Sequence, residues 1–391
     1  MTPRLTPLVL MAALLLARPL FAAPCGGDFG DFVKEMATEA RTEGLAPDAI
    51  KAFFKGAQQD PAVLKADRAQ GIFRKPFLEF SQALISANRL ENGAAHSKKF
   101  DGVFDRAETE FGVPRGILLA FWAFETDFGA VQGDFNTRDA ILTLAHDCRR
   151  PELFQPQVLA AIRLTGLGDF DPATTTGAWA GEIGMVQMLP KDILELGVDG
   201  DGDGRVTLKT SAPDAILSGA AMLRHHGWRE GQPWLQEVTV PADMDWSLSG
   251  LDTVLSGTDW ARRGVRPRQG ELANLPASLI LPLGRNGPAF VAYDNFKTLF
   301  EWNQSFTYVT TAAYFATRLS GAEPYLAGNP DPVLSLDETK ALQQKLAERG
   351  HDVGKIDGIL GAATRTAIQK EQIRLGLPAD AWPTLELLEA L

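Results

Sequence analysis

Residues 116–125 read GILLAFWAFE, an almost unbroken apolar run that ends in a carboxylate. Pro114 stands just before the run and suits the first turn of a helix, where its missing N–H donor costs no hydrogen bond. A helix that is apolar on every side is buried. The run therefore predicts a core helix with Glu125 at its end, after which residues 126–129 (TDFG) turn the chain away.

A carboxylate on a buried helix must either pair with a cation or keep its proton, because desolvation raises its pKa. A carboxylic acid that stays neutral near pH 7 is what a general acid for glycoside cleavage needs. The alternative is a structural glutamate that pairs with an arginine or caps a turn. Taken alone, the run favours this alternative, and Glu125 becomes a catalytic candidate only through the neighbouring motifs.

The chain has 391 residues, which suggests two or three domains, and its 38 basic and 49 acidic side chains give a net charge of −11. This acidic balance argues against nucleic acid as a partner and is compatible with a neutral glycan. Residues 1–23 combine a short basic start with an apolar run too short to span a bilayer, so they predict a signal peptide and a periplasmic protein.

The two cysteines, Cys25 and Cys148, are expected to form one disulfide in an exported protein, with two buried thiols as the alternative. Cys25 also leaves a lipid-anchored form open, although residues 22–25 (AAPC) make a poor lipidation site.

Helical patterns cover residues 28–43, 47–55, 77–90 and 295–319. A β-hairpin is expected where apolar residues 278–283 and 288–291 flank residues 284–287 (GRNG). We place a catalytic domain at 24–322, a linker at 323–333 and a C-terminal module at 334–391. A capping box from Ser335 to Glu338 opens the first of three helices predicted in this module.

Residues 199–206 read DGDGDGRV and match the EF-hand calcium loop at its first, third, fifth and sixth positions. Three carboxylates this close repel one another unless a hard cation lies among them. We predict a structural calcium site, with an Asp-Gly turn without metal as the alternative, and no organic cofactor. The predicted ligands are the side chains of Asp199, Asp201 and Asp203, the backbone carbonyl of Arg205, and Asp214, because Thr210 stands where the loop should end in Glu.

Residues 178–190 (AWAGEIGMVQMLP) surround one uncharged amide, Gln187, whose donor and acceptor suit sugar hydroxyls; the alternative is tight helix packing. Trp302, Asn303 and Tyr308 are further candidates for sugar contact, because aromatic rings stack on pyranose faces. Their alternative is a place in the core.

These motifs occur in one order, and together they resemble the lytic murein transglycosylase B family over roughly residues 28–319. The resemblance implies a mainly α (α+β), lysozyme-like catalytic domain with a small β-hairpin region. Residues 342–367 resemble a three-helix peptidoglycan-binding domain. The resemblance also implies cleavage of the MurNAc-GlcNAc β-1,4 bond of peptidoglycan glycan strands with 1,6-anhydro-MurNAc ends, and Glu125 as acid and then base.

By the same resemblance, one set of residues matches glycan-contacting positions: Gln187, Met188, Arg149, Arg150, Asn303 and Tyr308. The chain departs from the family pattern at Glu182, where Ala is usual, at Trp302 and Met222, where Tyr is usual, and by one residue inserted before Asp214. Two other functions remain open, a hydrolytic muramidase and a non-catalytic peptidoglycan-binding scaffold. We expect a monomer, with other cell-wall enzymes as possible partners.

Overall fold

The computed structural model describes residues 23–69 and 75–391, and this part of the chain is mainly helical. Its helices are α1 (Phe29–Thr42), α2 (Pro47–Phe54), α3 (Pro61–Arg68), α4 (Phe77–Leu84), α5 (Ala87–Lys99), α6 (Asp101–Phe111), α7 (Arg115–Thr126), α8 (Thr137–His146), α9 (Pro151–Leu167), α10 (Pro190–Leu196), α11 (Ala212–His225), α12 (Gly257–Arg262), α13 (Asp294–Thr298), α14 (Phe306–Leu319), α15 (Leu336–Glu348), α16 (Ala362–Leu375) and α17 (Leu385–Ala390). Its strands are β1 (Phe135–Asn136), β2 (Thr176–Gly177), β3 (Leu235–Thr239), β4 (Leu255–Ser256), β5 (Arg266–Pro267), β6 (Pro276–Ile280) and β7 (Ala289–Tyr293).

The apolar run forms the centre of the main core, as predicted. Residues 116–123 of α7 are all buried, and the helix packs chiefly on α14. Gly116 permits this close approach, because a Cβ atom there would lie 2.8 Å from the carbonyl oxygen of Ala316. The helix ends where Asp127 and Phe128 adopt left-handed backbone angles (φ 51° and 59°), so Glu125 sits in its last turn.

The predicted hairpin is the antiparallel pair β6–β7, and it belongs to a larger antiparallel sheet in the order β4-β6-β7-β3-β5. This sheet has a small core of its own around Trp260, Leu279 and Val291. The sequence pattern missed β4 and β5 because each has only two residues, too few for an alternation to show.

Helix predictions in the N-terminal region are confirmed for α1 and α2, but the single helix expected over residues 77–90 is wrong. The chain breaks between α4 and α5, where the Ser86 hydroxyl accepts a hydrogen bond from the backbone N–H of Arg89 (3.2 Å) and caps α5. A serine at such a position favours a new helix start over continuation. Cys25 and Cys148 form the predicted disulfide, with their Cα atoms 5.2 Å apart.

The C-terminal module contains the three predicted helices, α15–α17, and the capping box of Ser335 and Glu338 is present. The module packs against the rest of the chain: Trp382 is part of the main core, and the Arg365 guanidinium lies 4.8 Å from the Phe306 ring centroid. Among the helices of residues 23–69 and 75–391, none is both long and apolar enough to cross a membrane. The predicted signal peptide lies outside the described residues except for Ala23.

Candidate functional site

A cleft of about 790 Å³ opens at the end of α7. The side chains and backbone that line it come from segments far apart in sequence: Ala66, Ala69, Glu125, Ala178, Trp179, Glu182, Gln187, Met188, Leu189, Asp192, Met222, Glu301, Trp302 and Asn303. Five predicted site residues therefore share one cleft: Glu125, Gln187, Met188, Trp302 and Asn303. Arg149, Arg150 and Tyr308 do not line it.

Glu125 is half-buried, and its carboxylate is held by two uncharged donors. The Tyr308 hydroxyl and the Trp302 indole N–H (3.1 Å) both donate to Oε1. No ion pair within residues 23–69 and 75–391 involves Glu125, so the arginine-paired alternative does not describe this site. Burial raises the pKa of Glu125 to about 7, while the two hydrogen bonds lower it and the nearby charge of Glu182 raises it.

Trp302 and Tyr308 serve this carboxylate by packing that the sequence did not reveal. The Trp302 ring stacks on Phe121 with centroids 4.2 Å apart and planes 15° apart, so one ring face is covered. Tyr308 is buried on α14, and its hydroxyl reaches Glu125 from behind the cleft wall. The structure thus makes Tyr308 a partner of the acid, and its contact with sugar stays a prediction.

The Gln187 segment is a tight loop, and the helix-packing alternative is wrong. Ile183 and Met188 pair as an antiparallel bridge, and the four residues between them include Gly184 (φ 79°) and Gln187 (φ 52°). A non-glycine residue with positive φ is uncommon and marks a position that its surroundings hold in place. The Gln187 amide donates to the Gly184 carbonyl (2.7 Å), which fixes the side chain at the cleft wall.

A second hydrogen bond ties this loop to the catalytic candidate. The Thr126 hydroxyl, next to Glu125, donates to the Met185 carbonyl (2.7 Å) and accepts from the backbone N–H of Gly129 (2.9 Å). The turn after α7 and the Gln187 loop are thus one unit. Met188 lines the cleft although its residue exposure is only 1%.

Glu182, one of the departures from the family pattern, lies in the same cleft as Glu125. Burial raises the pKa of the Glu182 carboxyl, while its own backbone N–H and that of Ala180 lower it. Its Oε2 atom is buried and has no hydrogen-bond partner within the described chain. The cleft therefore contains a second, incompletely satisfied carboxylate.

Arg149 and Arg150 both form ion pairs beside the cleft. Both guanidinium groups bind the buried carboxylate of Asp67, at 2.9 and 2.6 Å. Asp67 lies near the end of α3, between Ala66 and Ala69, which line the cleft. The two arginines therefore help to fix this wall of the cleft. Because their side chains remain 38% and 31% exposed, their contact with sugar stays a prediction.

The acidic loop (residues 199–205) lies away from the cleft and brings together three carboxylates. One oxygen atom of each of Asp199, Asp201 and Asp203 lies within 4.8 Å of the others. Backbone N–H groups organise these carboxylates; Asp199 accepts from Gly202 (2.7 Å) and Gly204 (2.8 Å). Carboxylate oxygens on a flexible glycine-rich loop are the donor set that calcium prefers, so these residues fit the ion.

Asp214 is not part of this group of carboxylates. It is fully buried, and it accepts from the backbone N–H groups of Gly200 (2.9 Å) and Thr207 (2.7 Å). The structure thus makes Asp214 the brace that closes the acidic loop, where the sequence predicted a metal ligand. The Arg205 guanidinium donates to the Gly168 carbonyl (3.2 Å), and the ligand role of its own carbonyl stays a prediction.

Comparisons with known proteins agree with this architecture. Residues 28–317 match the family described as the transglycosylase SLT domain, and residues 335–391 match a putative peptidoglycan binding domain. Over 236 residues the chain is 28% identical to the membrane-bound lytic murein transglycosylase B of Escherichia coli (strain K12). That alignment covers 59% of this chain and 64% of the relative, so the match spans a little under two thirds of the relative's length.

Two solved structures extend the comparison. SltB3 from Pseudomonas aeruginosa, in complex with NAG-anhNAM-pentapeptide, superposes with a TM-score of 0.85 at 34% identity, over 93% of this chain and 99% of that one. Escherichia coli Slt35, in complex with calcium, superposes with a TM-score of 0.65 at 24% identity, over 76% of this chain and 96% of that one. The second likeness shows the fold alone. The predicted lysozyme-like catalytic fold with a C-terminal helical domain is confirmed.

Proposed function

The chain belongs to the transglycosylase SLT domain family, and from this premise we propose that it is a lytic transglycosylase of peptidoglycan. It cleaves the MurNAc-GlcNAc β-1,4 bond and leaves 1,6-anhydro-MurNAc ends. One observation carries the proposal: Glu125 is a half-buried carboxyl with uncharged partners and a pKa of about 7. The complex of SltB3 with NAG-anhNAM-pentapeptide supports the same chemistry.

In the first step, the Glu125 carboxylic acid gives its proton to the glycosidic oxygen, and the bond between that oxygen and the MurNAc anomeric carbon breaks. Tyr308 and Trp302 both bind Oε1, so we assign the transferred proton to Oε2. Their hydrogen bonds strengthen as the carboxylate forms, because charge-assisted hydrogen bonds are stronger than neutral ones. These two donors thus stabilise the carboxylate that the step produces.

In the second step, the Glu125 carboxylate takes the proton of the 6-hydroxyl of the same MurNAc. The 6-oxygen then attacks the anomeric carbon and closes the 1,6-anhydro ring, with the acetamido group assisting. Glu125 recovers its proton, so all atoms balance without water. A group with a pKa near the working pH can act in both directions.

The test is analysis of the products from purified peptidoglycan. We expect muropeptides with 1,6-anhydro ends, each lighter by one water than its reducing counterpart and resistant to borohydride. A product mixture that contains only reducible ends would identify a hydrolytic muramidase instead. An intact Glu125 protein that binds the wall and releases nothing would point to the scaffold alternative.

We further propose that the acidic loop binds calcium in a structural role, through Asp199, Asp201 and Asp203. The calcium complex of Slt35 supports this proposal. We also propose that the C-terminal module binds peptidoglycan and that the protein acts in the periplasm after export.

A further inference from the structure

Ala23, the first described residue, is held by the folded protein. It is only 8% exposed and belongs to the main core. The buried Gln155 amide donates to its carbonyl oxygen (2.7 Å). The chain after it is fixed as well, because Cys25 is bound to Cys148 and the Gly26 N–H donates to the His146 carbonyl (2.8 Å). These contacts place Ala23 within the folded protein, which indicates that it belongs to the mature chain.

The nitrogen of Ala23 lies against an acidic side chain. The backbone N–H of Ala23 donates to the Glu39 carboxylate on α1. The Oε2 atom of Glu39 is buried and has no hydrogen-bond partner within the described chain, and the same is true of the Oε1 atom of Gln155. Two unused acceptors therefore belong to the two side chains that bind Ala23.

A free amino terminus at Ala23 could donate hydrogen bonds to these two acceptors. An amide nitrogen carries one hydrogen, whereas an α-ammonium group carries three and a positive charge. Buried acceptors without partners are costly, and a carboxylate next to an ammonium group is stabilised. The side chains of Glu39 and Gln155 beside Ala23 therefore suit an α-ammonium group better than a backbone amide.

The residues around this position allow the cut. Cleavage between Ala22 and Ala23 places a small residue immediately before the cut and Leu20 two residues further back. Cleavage after Ala23 would put the bulky Phe21 at that second position and Pro24 directly after the cut. Neither Leu20 nor Phe21 is small, so that position does not distinguish the two bonds, whereas Pro24 directly after the later cut favours the earlier bond.

We propose that export cleaves the chain between Ala22 and Ala23, and that the new α-ammonium group of Ala23 forms a structural ion pair with Glu39. The mature protein thus begins one residue before the position that the sequence suggested. This inference rests on the proposed export and is independent of the reaction at Glu125.

The first test is the N-terminal sequence of the exported protein. We expect Ala23 as its first residue. A protein that begins at Pro24, or a lipid-modified Cys25, would overturn the proposal.

The second test is a double-mutant cycle on melting temperature, with proteins that begin at Ala23 or at Ala22 and carry Glu39 or E39Q. The extra residue and E39Q should each lower the melting temperature by ~1–2 °C in a chain of this size, and together by no more than either alone. E35Q is the matched control, since Glu35 is an exposed carboxylate on the same helix α1; it should leave the melting temperatures of both N-terminal forms unchanged. Equal effects of E39Q in both forms, or none, would exclude the ion pair.

Discussion

Glu125 and the acidic loop show how differently one chemical group can be used within a single chain. Glu125 is a lone, half-buried carboxyl with two uncharged side-chain donors, and burial raises its pKa to about 7. The acidic loop holds three carboxylates near the surface, arranged by backbone N–H groups. Desolvation favours the neutral form of a carboxyl and makes a proton carrier, whereas clustered carboxylates on an exposed loop offer oxygen ligands to a cation. The surroundings decide the function.

The largest expected effect comes from removing the proton carrier. E125Q should lower the rate of peptidoglycan cleavage by at least ~10²–10⁴-fold, because the amide can neither give nor take the proton. The measurement is release of soluble muropeptides from sacculi. E301Q is the matched control, since Glu301 is an exposed carboxylate that lines the same cleft.

Stability separates this loss of activity from unfolding. The pKa of Glu125 is raised on folding, so the native state binds more protons and stability falls as pH rises from about 4.5 towards 7. E125Q has no buried carboxyl to ionise, so its melting temperature at pH 8 should equal or exceed that of the wild type. Undiminished digestion by a well-folded E125Q would remove Glu125 from the mechanism.

Calcium bound at the acidic loop should raise the stability of the protein. Calcium at a hundredfold excess over its dissociation constant should stabilise the protein by ~2.7 kcal/mol, and a chelator should reverse this. The measurement is the melting temperature with and without calcium. D201N should abolish the response, whereas D48N, at an exposed position on α2, should keep it. A wild-type melting temperature that calcium does not change would refute the site.

The two regions also differ in how far the sequence could predict them. The ligands of the acidic loop lie within a few residues of each other, so their spacing indicated a cation site directly. The apolar run placed Glu125 on a buried helix. Its partners Trp302 and Tyr308, however, are separated from it by 177 and 183 residues, and only packing brings them together. The sequence identified these two residues as important and assigned them to the sugar.

The same limit explains other features that the sequence did not predict. The ion pairs of Arg149 and Arg150 could not be predicted because their partner, Asp67, is distant in sequence. Asp214 fitted a metal ligand by spacing, but the backbone N–H groups that it accepts from are set by the loop's closed shape. Local signals such as the capping box of Ser335 were predicted correctly because all their parts are adjacent.

A smaller effect is expected from Y308F, which removes one donor from the Glu125 carboxylate. The hydrogen bond lowers the pKa of Glu125, so its loss should move the alkaline limb of the activity profile to higher pH. It should also slow cleavage about tenfold at the optimum, because a hydrogen bond to a charged group contributes ~1.5 kcal/mol or more. Y314F is the control on the same helix, since the Tyr314 hydroxyl donates to the Glu323 carbonyl (3.1 Å). An alkaline limb that Y308F does not shift would show that Tyr308 contributes packing alone.

The smallest effect, and the opposite sign, is expected from E182Q. The charge of Glu182 raises the pKa of Glu125, so a neutral amide should lower that pKa and move the alkaline limb to lower pH. Glu182 has the smallest influence on the pKa of Glu125, so we expect a smaller shift than Y308F produces. The measurement is kcat/KM against pH, with D192N as the control, because Asp192 is another half-buried carboxylate of the same cleft. E182Q removes a negative charge near Glu125, whereas Y308F removes a donor that stabilises the charged form of Glu125. The two variants should therefore move the alkaline limb in opposite directions. A shift in the same direction would show that the electrostatic description of this cleft is wrong.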